Sequence, residues 1–117
     1  MATSSIRYGS NDVFVKDHEI GDWIKAMTDQ FDHLISSGKD VEWLLVECNR
    51  WCEIYENYPP GLKDIEFDDV LAVDSENRID EIVGVLNSVL KQTTSNGYEL
   101  EIAKNISSKI LSDLFNK

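Results

Sequence analysis

Residues 17–35, DHEIGDWIKAMTDQFDHLI, carry the reading on which the expected fold turns. Ile20, Trp23, Ile24, Met27, Phe31, Leu34 and Ile35 recur at intervals of three and four, the spacing that lines one side of an α-helix. Gly38 follows as a stop signal and Asp40 as the cap of a second helix, whose seam is Val41, Leu44, Leu45, Cys48, Cys52 and Tyr55. Tyr58-Pro59-Pro60-Gly61 ends that helix. Two helices joined by so short a connection predict an antiparallel helical hairpin.

Outward from this pair, residues 62–73 alternate acidic and apolar side chains (Asp64, Ile65, Glu66, Phe67, Asp68, Asp69, Val70, Leu71) and suit either a short helix or an extended piece. Asp74-Ser75 reads as another N-cap, followed by Ile79, Ile82, Val83, Leu86, Val89 and Leu90 on one face. Gly84 lies inside that run at a cost of about 1 kcal/mol against Ala, and reads as a point of close packing by a neighbouring helix. Residues 93–97 read as a loop. A last helix from Tyr98 turns Ile102, Ala103, Ile106, Ile110 and Leu114 inward and Lys104, Lys109 and Lys117 outward. Toward the N-terminus, residues 1–16 are polar apart from Val13-Phe14-Val15, which suits either a short edge strand or a lead-in segment packed on the body. No β-branched alternation strong enough for a sheet and no internal repeat stands out. The expected architecture is therefore all-α: a lead-in over 1–16, then a four-helix bundle-like domain over 17–117 with an irregular acidic segment between its second and third helices.

The 117 residues suit one domain, and 42% hydrophobic with 28% charged residues is globular composition. No stretch approaches the roughly 18 apolar residues of a membrane span, and Met1-Ala2-Thr3-Ser4-Ser5 lacks the apolar run of a secretory signal, so a cytoplasmic protein is expected. The charge is focused. From Asp40 to Glu81 thirteen carboxylates face only Arg50, Lys63 and Arg78, which accounts for nearly all of the formal net charge of −11. Trp43, Trp51, Tyr55, Tyr58 and Phe67 are interleaved with those acids. Such a field suits docking onto a strongly basic protein surface and opposes direct binding of nucleic acid.

Catalytic chemistry finds little support. His18 and His33 lie among Asp17, Glu19, Asp29 and Asp32 and read as surface residues, and there is no Gly-rich phosphate loop, nucleophile elbow, H-E-x-x-H or C-x-x-C. Cys48 and Cys52 read as reduced core thiols: the C-x3-C spacing is not that of a zinc site, and Glu47, Glu53 and Glu56 would raise a thiol pKa. Asp64, Glu66 and Asp68 repeat the 1, 3, 5 spacing of a calcium loop, but Asp69 stands where that loop needs Gly and Ser75 where it needs Glu. No enzyme activity, metal or cofactor is expected.

The expected partner-binding set is Trp43, Glu47, Tyr55, Tyr58, Asp64, Glu66, Asp68, Asp69, Asp74 and Glu76. Trp43, Glu47, Arg50 and Ile54 fall opposite the core seam of the second helix, which is therefore either covered on both sides or exposes an apolar anchor. Tyr55 and Tyr58 stand beside the acidic segment, where a ring gives apolar contact and a hydroxyl bonds at a wet rim.

A small acidic helical domain with acids and tyrosines gathered at its middle resembles the bacterial immunity proteins that neutralise nuclease toxins, both nuclease bacteriocins and the toxic tips of contact-dependent inhibition systems. Tyr55 and Tyr58 followed by Pro59 are similar to the paired tyrosines of the helical nuclease-colicin immunity proteins, whose tyrosines adjoin where these are two residues apart. The resemblance implies a tight one-to-one complex with a basic toxin domain. Separately, the chain is expected to be a monomer or weak homodimer, an exposed Trp43 being able to mark a homodimer contact. Two other classes remain open. One is an adaptor for a different protein, and the other an acyl or peptidyl carrier using Ser75 after Asp74, although Glu76-Asn77 replaces the apolar residue expected there.

Overall fold

The computed structural model describes residues 2–36, 42–92 and 98–116, with side chains described outside 32–36 and 98–99. Strand β1 (Thr3–Tyr8) turns at Gly9-Ser10 into β2 (Asn11–Lys16), which runs directly into helix α1 (Asp17–Ser36). Helix α2 (Glu42–Asn57) is followed by a two-residue strand β3 (Ile65–Glu66), the single turn α3 (Asp68–Leu71), α4 (Ser75–Leu90) and α5 (Tyr98–Lys109). A π-helical turn, Ile110–Leu114, extends α5. The expectation of an all-α bundle is thus corrected: among the described residues five helices accompany a three-stranded mixed sheet of order β2-β1-β3, in which β2 is antiparallel and β3 parallel to β1. The acidic stretch is likewise not irregular, because it supplies β3 and α3.

The hairpin exists because its inner face is apolar where it must be. Ile6, Val13 and Val15, with Ile65 from β3, are all buried, while Asp12, Phe14 and Lys16 of β2 point outward. Gly9 takes φ +62 at the first central position of the two-residue turn, a conformation open to Gly that matches the twist of the strands. One inward position of β1, Ser4, is polar. Its hydroxyl donates to Asp17 Oδ1 at 2.7 Å and accepts from the Lys63 N–H at 3.0 Å, and Asp17 Oδ2 accepts from the Gly61 N–H at 2.9 Å. A buried carboxylate therefore joins the hairpin, the start of α1 and the loop after α2.

Helix α1 is central, packed against α2, α4 and α5. Its Ile20, Trp23, Ile24, Met27 and Phe31 are buried, as their spacing predicts; Leu34, Ile35, Gly38, Asp40, Val41 and the loop 93–97 lie outside the residues or side chains described. A row of rings crosses the core: Trp23 stacks on Trp51 at 5.4 Å, Trp51 meets Phe67 at 5.6 Å, Phe67 stacks on Phe115 at 5.9 Å and Phe115 meets Tyr8 at 5.2 Å. The π turn makes the last two contacts accessible. Its Phe115 N–H bonds to the Ile110 carbonyl five residues back, at 3.3 Å, rotating Phe115 toward the sheet. Gly84 is a further correction. A Cβ there would meet nothing within 4 Å, so no helix packs closely against it.

Candidate functional site: an acid-rimmed groove between α2 and α4

The aromatic residues interleaved with the acids separate into two kinds. Trp51 and Phe67 are wholly buried members of the ring row, Trp43 and Tyr55 are half-buried, and Tyr58 is the exposed one, at 53%. Trp51 stands seven residues after Leu44 and three after Cys48, on the same face of α2, so helical spacing does carry the signal for its burial, although the seam read from the sequence passed through Cys52 and left Trp51 out.

The acids divide in the same way. Asp64 Oδ1 accepts from the Ser5 N–H at 2.7 Å and its hydroxyl at 3.2 Å, and Asp68 Oδ1 accepts from the Gly9 N–H at 2.9 Å. Glu66 lies 3.6 Å from Arg7, which is itself held to Asp12 at 2.8 Å. The hydrogen bond and the charge of Asp12 push the Arg7 pKa further up. Asp64, Glu66 and Asp68 therefore fasten β3 and α3 to the N-terminal hairpin. No group of three or more His, Cys, Asp or Glu suited to hold a metal occurs among the described residues. Glu47 pairs with Arg50 at 2.9 Å along α2.

Asp74 and Glu76, by contrast, stand exposed at the start of α4 with Asp80, and Asp69 is exposed on α3. Asp74 occupies the N-cap position in the left-handed conformation (φ +50, ψ +51) and makes no side-chain cap bond. Its carboxylate instead accepts from Asn77 Nδ2 at 3.2 and 3.1 Å, while the Ser75 hydroxyl donates back to the Leu71 carbonyl. This turn sets the start of α4 against the start of α2. Between them lies an open groove of about 540 Å³ lined by Glu42, Trp43, Val46, Val73, Asp74, Arg78 and Glu81.

Val46 and Val73 are 60% and 58% exposed there, apolar surface set among the acids Glu42, Asp74 and Glu81. Trp43 is the fixed element. Its Nε1 donates to the Glu81 carboxylate, and the Arg78 guanidinium lies 4.7 Å from its ring centre. Arg78 is held in turn by donating to the Val70 carbonyl at 2.7 Å. Trp43 takes neither of the two settings open for it, full cover or an exposed anchor: its ring is half-buried and braced from α4.

Tyr55 and Tyr58 do not join this groove, since twelve residues of α2 place Tyr55 about 18 Å from Trp43 along the helix axis. Gly21 of α1 packs on the Tyr55 ring, Lys63 Nζ lies 5.2 Å from its centre, and Lys63 also donates to the Tyr55 and Tyr58 carbonyls at the end of α2. A second groove, of about 330 Å³, opens beside it between α1 and α2 and is lined in part by Thr28, Cys52 and Tyr55. The thiols offer no nucleophile. Both are free; burial pushes Cys48 far above the usual thiol range, with the neighbouring Thr28 hydroxyl acting weakly the other way, and burial with the charge of Glu56 raises Cys52.

The expected set is thus dispersed: Trp43 and Asp74 lie in the α2–α4 groove with Glu76 on the adjoining turn of α4, Tyr55 and Tyr58 at the far end of α2, and Asp64, Glu66 and Asp68 against the hairpin, while Glu47 is paired with Arg50 along α2 and Asp69 stands exposed on α3. Glu42, Val46, Val73, Arg78 and Glu81 are the groove residues the sequence left unassigned. An exposed valine on either side of the Asp74 turn carries no sequence signal of its own. No protein-family model, curated protein or solved structure matches the chain. No helix among the described residues is long and apolar enough to cross a membrane.

Proposed function

We propose that this chain is a non-catalytic inhibitor of the immunity type, which binds a basic toxin domain of the nuclease class in the cytoplasm of the producing cell. One observation carries the reading: the α2–α4 groove, in which a braced Trp43 and the exposed Val46 and Val73 lie among Glu42, Asp74 and Glu81, with Glu76 and Asp80 close by on α4. The exposed valines offer contact area to the partner, and the surrounding acids attract Lys and Arg side chains that would otherwise hold phosphates. Occupying them denies the toxin its substrate. Long-range attraction makes association fast and salt-sensitive, since charges are screened beyond about 8 Å at physiological ionic strength.

The test is capture from the native host on the immobilised protein with washes at low and then high salt, followed by activity assays of what is retained. Retention of one basic protein whose nuclease activity is abolished by adding back the free chain supports the reading. Retention of a protein with no toxic activity assigns the chain to the adaptors instead.

A further inference from the structure

Strand β2 is an outer strand of the sheet, and its side chains and backbone both present a self-complementary edge. The phase of the hairpin fixes which backbone groups are open. Asp17 N–H bonds to the Ala2 carbonyl at 3.1 Å, and the Tyr8–Asn11 pair closes the two-residue turn, so Asn11, Val13 and Val15 direct their amides toward β1. The amides and carbonyls of Asp12, Phe14 and Lys16 therefore point away from the sheet. Those same three residues are exposed, Phe14 at 69%, the most exposed of the large hydrophobic residues described.

From this edge we infer that the chain self-associates through β2, a second copy pairing antiparallel about Phe14 to give a continuous six-stranded sheet. In that register Phe14 faces Phe14, and Asp12 of each copy faces Lys16 of the other. All three are pairs whose outward amides and carbonyls meet, so the register satisfies the open groups on both strands. A parallel alignment would set Asp12 on Asp12 and Lys16 on Lys16. Flanking charges that usually blunt a sheet edge here select one partner and one register. The overall charge of −11 opposes association, but residues 1–16 hold Arg7 and Lys16 against Asp12 alone, so copies meet at the least acidic part of the chain. None of the α2–α4 groove residues lies on β2, so this inference stands apart from the toxin-binding reading.

Sedimentation velocity over a concentration series tests it. A contact this small gives a weak dimer, and the wild type is expected to approach the mass of two chains between about 10 µM and 1 mM. Asp12→Lys and Lys16→Glu each place like charges opposite one another and should stay at one-chain mass. Mixed in equal amounts they become complementary at both ends and should restore the dimer, which also shows that both variants are folded. A wild type that remains at one-chain mass at 1 mM overturns the inference. So does a dimer that either single variant retains, or a mixture that fails to associate.

Discussion

Arg78 lies with its guanidinium 4.7 Å from the centre of the Trp43 ring while donating to the Val70 carbonyl at 2.7 Å. One cation from α4 thus holds a tryptophan of α2 in place and caps a carbonyl of α3, and it is also the one cationic side chain lining the groove among the described residues. Its two effects oppose each other. It supports the groove's shape and weakens the groove's field.

Replacing Arg78 by Met keeps the aliphatic stem and removes the charge. The variant should lose about 1–2 kcal/mol of stability in urea titration, from the cation–π contact and the charged hydrogen bond. Its association rate with a basic partner should nevertheless rise. Trp43→Ala should act mainly on the dissociation rate, increasing it, which stopped-flow or surface-plasmon measurements on the captured partner would separate.

The acids that fasten the hairpin and the acids left free should respond differently to truncation. Asp64→Ala strands the part-buried Ser5 amide and hydroxyl and should cost about 2 kcal/mol in denaturant unfolding. Asp69→Ala, at an exposed position, should stay within about 0.5 kcal/mol of the parent.

Two glycines in helices make opposite predictions. At Gly21 a Cβ would sit 2.7 Å from Tyr55 Cζ, so Gly21→Ala should destabilise by about 1–3 kcal/mol unless Tyr55 moves out of its contact. At Gly84 the space is open, and Gly84→Ala should stabilise by up to about 1 kcal/mol through helix propensity alone. Thermal unfolding of the pair shows both signs in one experiment.

Cys48 and Cys52 are both shifted upward, chiefly by burial, so the folded state keeps them protonated where the unfolded chain ionises. Between the unfolded and folded values the native state binds more protons, and stability falls as pH rises. The decline should begin near the ordinary thiol pKa of 9.0 and approach about 1.4 kcal/mol per pH unit for the deeply buried Cys48, with Cys52 adding in the same direction. Unfolding titrations from pH 8 to 10 should show it, with Cys48→Ala giving a shallower slope despite lower stability throughout. Alkylation at neutral pH should be slow and reach half-buried Cys52 before buried Cys48.

Helical periodicity was a sound guide where apolar residues alone line the core. Helix α1 starts at Asp17, α2 ends at Asn57 just before Tyr58-Pro59-Pro60-Gly61 and α4 starts at Ser75 after Asp74, as their signals place them, and Ile102, Ala103, Ile106, Ile110 and Leu114 are all buried. The sheet was not legible for a physical reason. In Thr3–Tyr8 the inward alternation passes through Ser4, buried by hydrogen bonds to Asp17 and Lys63 rather than by apolar character, so the period-two pattern is broken. The usable signal was the Gly9-Ser10 pair between Tyr8 and Asn11, a two-residue hairpin turn. Site acids were legible as a charge field but not as individuals. Nothing local in the sequence distinguishes Asp64, which accepts from a strand 59 residues earlier, from Asp74, which faces the groove.

The central claim is that the α2–α4 groove receives a basic partner, and a paired capture tests it most directly. The wild type and a variant carrying Asp74→Asn, Glu76→Gln and Asp80→Asn, each shown to be folded by circular dichroism, would be presented to the same host lysate at about physiological salt. The account predicts that a basic protein held by the wild type is lost from the variant, and that raising the salt removes it from the wild type in the same way. Equal retention by both proteins would contradict it.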